Sequence, residues 1–193
     1  MSDVLAKIIM QIFSPSGLNI TSTPFIYQEK KLMEYGATRF SLNDYKIEFR
    51  IGKKTDDRPG NFLTAWHRSA ADNKISPFHI NDVDFLIIYV YERINEEDYQ
   101  GIYVFGKNIL AQHNILSTND SDGKLSFRVF PPWSEYSANE SIKKMKDTTR
   151  VKPMQYFTHS ARKTQLWQNR FFLHISRDYI LNDTNSFLDL LKQ

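Results

Sequence analysis

The chain has 193 residues, of which 41% are hydrophobic and 14% aromatic. This is enough apolar material for a packed core, and it excludes a disordered or low-complexity chain. The absence of cysteine excludes a disulfide scaffold, a cysteine-based zinc site and a thiol nucleophile. Asp3 and Lys7 interrupt the apolar run at the N-terminus, and no run approaches the roughly 18 apolar residues of a membrane span. We therefore expect one cytoplasmic domain over residues 1–193.

The first third of the chain changes from a helical to a strand pattern. Residues 3–13 place apolar side chains on one helical face, and a second helix is predicted over residues 24–36. Residues 45–51 alternate between apolar and charged side chains, which predicts a half-exposed strand. After a turn at residues 56–60, residues 62–66 return as the second arm of a hairpin.

The middle of the chain contains the most apolar segment. Residues 84–92 are nearly continuously apolar, which predicts a central strand. A charged turn at residues 95–98 leads to a returning strand at residues 101–106, and residues 107–114 predict a short helix. Residues 125–129 alternate again and predict another strand.

The C-terminal part predicts helices. Residues 161–175 form a basic helix, or a helix followed by a strand, and residues 184–191 form a terminal helix. The fold class is α+β, with a mixed, mostly antiparallel sheet of about five or six strands flanked by helices. Its parts are N-terminal helices (1–36), a sheet core (37–133), and a basic C-terminal segment with the terminal helix (134–193).

Positive charge is concentrated near the C-terminus. Residues 141–177 contain nine Lys or Arg and one acid, whereas the whole chain has a net charge of only +3. The basic residues are Lys143, Lys144, Lys146, Arg150, Lys152, Arg162, Lys163, Arg170 and Arg177. Aromatic and amide side chains, among them Trp167, Tyr156 and Gln165, lie between them. Cations with planar groups are typical of surfaces that bind phosphates and unstacked bases.

Two further segments combine cations with aromatic residues. Lys53, Lys54 and Arg58 flank the first hairpin turn, and its second arm ends in Trp66-His67-Arg68. Arg128 precedes a Pro-Pro-Trp corner that ends at Trp133. Trp133 either fills the edge of the core or stacks on a base, and the sequence leaves both readings open.

Asp84 opens the central strand, and Lys107 ends the next strand of the same hairpin. This arrangement resembles the signature of PD-(D/E)XK nucleases, in which a second acid two residues before the lysine completes a site for Mg²⁺. Phe105 occupies that place here. An acid from elsewhere could substitute for it, and the candidates are Glu48, Glu29 and Glu34. The alternative interpretation is that Asp84 only begins a strand and Lys107 is a surface residue.

Other chemistries lack a motif. The five histidines have no metal-ligand spacing, and neither a nucleophile elbow nor a phosphate-binding glycine loop is present. We therefore expect no resident metal and no cofactor.

Several strings taken in order resemble the MepB family, whose members are named for an association with multidrug-efflux operons. The strings span residues 35–40, 49–50, 53–55, 60–68, 82–85, 101–107, 123–133 and 163–168. The combination of R-V-F-P-P-W at residues 128–133 with T-Q-L-W-Q at residues 164–168 is the most specific part. Gly106 and Arg58-Pro59 depart from the family pattern.

The resemblance implies a restriction-endonuclease-like fold that binds nucleic acid without a complete cutting site, so we expect a binding protein rather than an enzyme. Single-stranded DNA or RNA is the expected partner, with duplex DNA as the alternative and no membrane contact. The expected contacts are Lys53, Lys54, Arg58, Arg68, Lys107, Arg128, Trp133, Arg162, Lys163, Gln165 and Trp167. Two other functions stay open: a metal-dependent nuclease with a migrated acid, and an accessory factor of the efflux response that binds a protein or a small molecule.

Overall fold

A large mixed β-sheet runs through the centre of the computed structural model, which describes residues 1–69, 73–145, 156–181 and 184–192. The strands are β1 (Phe25–Ile26), β2 (Thr38–Leu42), β3 (Tyr45–Thr55), β4 (Arg58–Thr64), β5 (Trp66–Arg68), β6 (Ile75–Pro77), β7 (Phe85–Ile94), β8 (Glu97–Gly106), β9 (Ser126–Val129) and β10 (Phe172–His174). Eight of them form one sheet in the order β1-β2-β3-β7-β8-β10, with β4 paired to both β3 and β9, whereas β5 and β6 form a separate ribbon.

The helices lie on both faces of this sheet. They are α1 (Asp3–Ile8), which continues as a π-helical turn (Ile9–Phe13), α2 (Lys30–Met33), α3 (Lys107–Gln112), α4 (Ser134–Met145), α5 (His159–Gln168) and α6 (Thr184–Leu190). Among the described residues, no helix is long and apolar enough to cross a membrane.

Strand β3 joins two parts of the sheet. Its first half pairs with β2, and its end pairs with β4 at Lys53 and Lys54. On its other edge it runs parallel to β7, from Ile47 beside Phe85 to Gly52 beside Val90. The remaining strand pairs are antiparallel, so the sheet is mixed and mostly antiparallel, as the sequence predicts.

Two hydrophobic cores lie on opposite faces of the sheet. Ile87 of β7 faces a core with Leu5 and Ile8 of α1 and Phe187 of α6. The neighbouring residue Leu86 faces the second core, to which α3, β4 and β9 contribute. Because both faces of β7 are covered, its sequence is apolar at successive positions rather than alternating.

Most predicted elements of the first two thirds are present. The helix over residues 3–13, the strand beginning at Tyr45, the central hairpin and the strand around Phe127 are confirmed. The second helix over residues 24–36 is wrong. Phe25 and Ile26 instead form an edge strand paired with Arg39 and Thr38 of β2. Of the predicted helix, only the four residues of α2 (Lys30–Met33) are α-helical.

Two later segments also differ from the predicted pattern. Trp66 does not continue β4, because it pairs with Pro77 in the β5–β6 ribbon. The basic segment at residues 161–175 forms a helix followed by a strand, which is the second of the two predicted alternatives. Helix α5 ends at Gln168, a 3₁₀ turn follows, and β10 pairs with β8 beside Tyr103.

Candidate functional site

The start of β7 and the end of β8 lie side by side and bring Asp84 and Lys107 together at one corner of the sheet. The Lys107 ammonium donates to one carboxylate oxygen of Asp84 at 2.8 Å, and the backbone N–H of Lys46 donates to the other at 2.9 Å. Burial alone would raise the pKa of Asp84, but these two hydrogen bonds and the lysine charges hold it below its usual range. Asp84 is therefore ionised at neutral pH, and each of its carboxylate oxygens accepts a hydrogen bond from this chain.

Phe105 is part of the core rather than of this corner. Its ring is fully buried and packs against Tyr103, Trp167 and Phe171. A phenyl ring has no oxygen to offer a metal ion. Within the described parts of the chain, no group of three or more histidine or acidic side chains is placed to hold a metal.

Glu48, the first candidate for a migrated acid, lies in a buried cage of donors. The Tyr27 hydroxyl donates to one carboxylate oxygen at 2.8 Å, and Arg39 donates to the same oxygen. Arg50 donates to the other oxygen at 3.0 Å. Glu48 and Arg50 are 1% and 0% exposed, so this Glu48 cage is a buried ion-pair network inside the sheet.

The other two acids face solvent and contact predicted cations. Glu29 lies 3.5 Å from Arg68, and Glu34 lies 3.9 Å from Lys53. Both pairs are partly exposed and therefore contribute little to stability.

The two most specific sequence strings meet at β9 and α5. The side-chain oxygen of Gln168 accepts from the backbone N–H of Phe130 at 2.9 Å, and its amide nitrogen donates to the Arg128 carbonyl at 2.9 Å. Gln165 donates to the Pro131 carbonyl at 2.8 Å. The amide side chains of α5 therefore fix this helix to the strand and corner that carry Arg128.

Between α5, β9 and the end of α3 lies a depression of about 280 Å³, which we call the α5 groove. Its main side chains are His113, Lys124, Phe127, Arg128, Thr164 and Trp167. No acidic side chain among the described residues lines it. The groove therefore combines cations with aromatic rings, and it brings together two of the predicted contact residues, Arg128 and Trp167.

The rings in the α5 groove are already stacked. The indole of Trp167 lies parallel to the imidazole of His113, with ring centroids 3.7 Å apart and planes 10° apart. Burial, and then the charge of Lys124, lower the pKa of His113. The imidazole is therefore neutral at pH 7, and Lys124 supplies the charge beside it.

Arg128 reaches from the groove to the first hairpin. Its guanidinium donates to Thr55 Oγ1 at 2.7 Å and lies 5.6 Å from the ring centre of Phe62. Burial, and then the nearby Arg58, lower its pKa. An anion bound here would relieve this repulsion between the two arginines.

The other predicted cations are distributed around the molecule, most with partners of their own. Lys54 donates to Glu92 and Ser137, inside the contact between β3 and α4. Arg162 pairs with Glu135, and Lys163 is exposed on α5. Three basic residues of the C-terminal stretch, Lys146, Arg150 and Lys152, lie outside the described residues.

Of the two alternatives for Trp133, core packing or base stacking, the structure shows core packing. It is 5% exposed and packs against Tyr99 and Phe172. Sequence reasoning missed two groove residues, His113 and Lys124. Lys124 follows the turn glycine in one of the family strings, which is the signal that could have found it.

The fold and the groove define an α+β protein with a cationic, aromatic groove beside its central sheet. A sequence model of the MepB-like family matches residues 29–158, and the chain belongs to this family. It is also similar to the crystal structure of MepB, with 27% sequence identity and a TM-score of 0.59. That similarity covers 92% of this chain and 99% of the MepB chain. No curated protein matches the chain.

Proposed function

We propose that this protein binds nucleic acid in the α5 groove, in the cytoplasm, with a preference for single strands or RNA. One observation supports this most directly. Arg128 and Trp167, which are about 40 residues apart in the sequence, lie in one groove with Lys124 and His113, and no described acid lines it. A groove of this composition attracts phosphates and offers flat rings to exposed bases.

The stacked rings define how a base would bind. Trp167 already stacks on His113 and packs on Phe105, so an unstacked base would extend this stack at His113. Phosphates on either side of that base would contact Lys124 and Arg128. Bases inside a duplex are not free to stack in this way, which is the reason for preferring single strands.

Exposed cations on neighbouring elements would widen the electrostatic surface. Lys163 and Arg170 lie on or directly after α5 and are exposed, and Arg58 lies near Arg128 at the first hairpin. With about three to five phosphates contacted, log affinity should fall with log salt with a slope of roughly −2 to −4.

The proposal includes a nuclease-derived scaffold of the PD-(D/E)XK type that does not cut. The hairpin β7–β8 carries Asp84 and Lys107 at one end, beside a parallel strand, as in that class of enzyme. Lys107 and the Lys46 N–H bind both oxygens of Asp84, and Phe105 replaces the second acid. A single carboxylate held in this way has little capacity to fix Mg²⁺ against a phosphate.

The test is a binding titration by fluorescence anisotropy with labelled single-stranded DNA, RNA and duplex DNA. Lys124→Gln and His113→Ala should each weaken single-strand binding by about tenfold. Lys31→Gln, which removes an exposed lysine on α2, is the matched control and should bind like the wild type. If Lys124→Gln and His113→Ala both bind single strands as tightly as the wild type, the α5 groove is refuted as the binding site.

The same substrates incubated with Mg²⁺ or Mn²⁺ test the absence of cutting. Intact substrates are expected. Cleavage that disappears in an Asp84→Ala variant would instead support the nuclease with a migrated acid.

A further inference from the structure

A second depression lies on the other side of the sheet, next to α1, over the later part of β3 and β7 and the start of β8. It has a volume of about 670 Å³, which is within the usual range for small-molecule sites. Its polar side chains include Lys7, Lys53, Arg177, Tyr91 and Tyr179. We call it the tyrosine cleft. It shares no lining residue with the α5 groove.

The cations of the tyrosine cleft differ in how they are paired. Arg177 lies 3.2 Å from Asp98, on the wall of the cleft. Lys53 lies 3.9 Å from the exposed Glu34, and its ammonium lies 5.2 Å from the ring centre of Tyr35. The Lys7 ammonium lies 5.1 Å above the ring of Tyr179. Lys7 and Lys53 are therefore available to an anion, and together they match the charge of a phosphate monoester, about −1.5 to −2.

Tyr179 is held in a conformation that a tyrosine rarely adopts. Its φ is 64°, in the left-handed region that favours glycine or asparagine. The turn is closed by hydrogen bonds between Ser176 and both Tyr179 and Ile180, and the ring stacks on Tyr89 at 5.9 Å. Strained residues of this kind concentrate at functional sites.

Hydrogen bonds among neighbouring residues hold the stacked rings of Tyr89 and Tyr179 in place. The Tyr89 hydroxyl donates to Gln100 at 2.8 Å, and the Gln100 amide donates to the Ser176 carbonyl that precedes the turn. Beside it, Tyr91 is 42% exposed and its hydroxyl donates to Asp98 at 2.8 Å. The cleft therefore has a pre-formed and partly exposed tyrosine surface, and Lys7 and Lys53 line the same cleft.

We propose that the tyrosine cleft binds a nucleoside monophosphate. Lys7, Lys53 and Arg177 hold its phosphate, and its base stacks on Tyr91 beside the Tyr89–Tyr179 pair. The proposal does not rest on nucleic-acid binding in the α5 groove, because the two sites have different residues and different ligands.

The test is isothermal titration calorimetry of the full chain with adenosine 5′-monophosphate, with adenosine, and with inorganic phosphate. The monophosphate should bind saturably, and adenosine and phosphate each at least about tenfold more weakly, because each makes half of the contacts. Lys7→Gln and Arg177→Gln should each weaken binding of the monophosphate about tenfold. Lys31→Gln is the matched control for charge and should leave its affinity unchanged.

Tyr91→Ala tests the aromatic half, and it should weaken binding of the monophosphate at least about fivefold. Tyr156→Ala, which removes a tyrosine that is 71% exposed elsewhere, should have no effect. Loss of monophosphate binding in His113→Ala would instead place the ligand in the α5 groove and would overturn the proposal. The absence of saturable binding, equal affinity for adenosine, or equal affinity for inorganic phosphate would overturn the proposal.

Discussion

Replacing Glu48 by glutamine should strongly destabilise the fold. Arg50 is fully buried, and its guanidinium depends on Glu48 for charge compensation at 3.0 Å. Its other contacts are neutral: the Phe49 carbonyl at 2.7 Å, the Trp66 carbonyl at 3.5 Å, and the rings of Tyr27 and Phe78 at 5.1 Å. Glutamine keeps the size of the side chain but removes its charge, which leaves Arg50 uncompensated inside the protein.

The expected loss follows from burial. Breaking a buried ion pair by neutralising one partner costs about 3–5 kcal/mol, because the other charge stays desolvated. For a chain of this length, about 1 kcal/mol corresponds to 2–4 °C in the thermal midpoint. Glu48→Gln should therefore lower the midpoint by roughly 6–20 °C.

Thermal unfolding followed by circular dichroism measures this shift. Glu34→Gln is the matched control, since its pair with Lys53 is exposed and its loss should change stability by less than about 1 kcal/mol. Equal midpoints for Glu48→Gln and the wild type would refute the structural role of the Glu48 cage. If Mg²⁺ also raised the midpoint of the wild type and not that of the variant, Glu48 would instead be a metal ligand.

Two further changes test the corner at Asp84 and the packing of β8. The folded-state pKa of Asp84 lies below the ordinary value of 3.8, so its ionic bond to Lys107 stabilises the fold above about pH 4 and is lost as the pH falls through the folded-state pKa. Asp84→Asn should cost about 1 kcal/mol at pH 7, and urea unfolding at several pH values should show this difference shrink below pH 4; a constant difference would contradict the reasoning. In β8, a Cβ at Gly101 would lie 2.2 Å from the ring of Phe172, so Gly101→Ala should destabilise by about 1–3 kcal/mol. Gly52→Ala is the control in β3, where the nearest side-chain atom lies at 3.0 Å, and it should cost less; the reverse order would show that β10 adjusts freely.

The sequence predicts the elements whose pattern reflects their own burial. Strand β7 is apolar at successive positions because both of its faces are covered. The N-terminal helix has one buried face, on which Leu5 and Ile8 lie. In each case the spacing of apolar residues along the sequence is enough to predict the element.

The failures have physical causes outside the local pattern. Phe25 and Ile26 form a strand because the edge of β2 is free to pair with them, and no local period reveals that edge. Glu48 and Arg50 alternate with apolar residues, which predicts a solvent-facing side of β3. They are buried instead because Arg39 and Tyr27, from distant segments, complete their contacts.

The candidate site shows the same division. Cationic and aromatic composition identifies Arg128 and Trp167, but composition does not distinguish a ring that packs inside from one that faces a groove. Trp133 and Trp167 each follow an arginine by five residues, and only tertiary packing shows that Trp133 lies in the core whereas Trp167 lines the groove. His113 becomes part of the groove through a ring stack between α3 and α5 that no spacing in the sequence encodes.

The two hydrogen bonds of Gln168 also have a consequence for solubility. Within the part of the chain that the structure describes, strand β9 pairs with β4 alone. An open strand edge is a template for pairing with another molecule. By accepting from the Phe130 N–H and donating to the Arg128 carbonyl, Gln168 occupies the backbone groups that a neighbouring strand would use. The buried amide of Gln168 thus disfavours edge-to-edge aggregation through this strand.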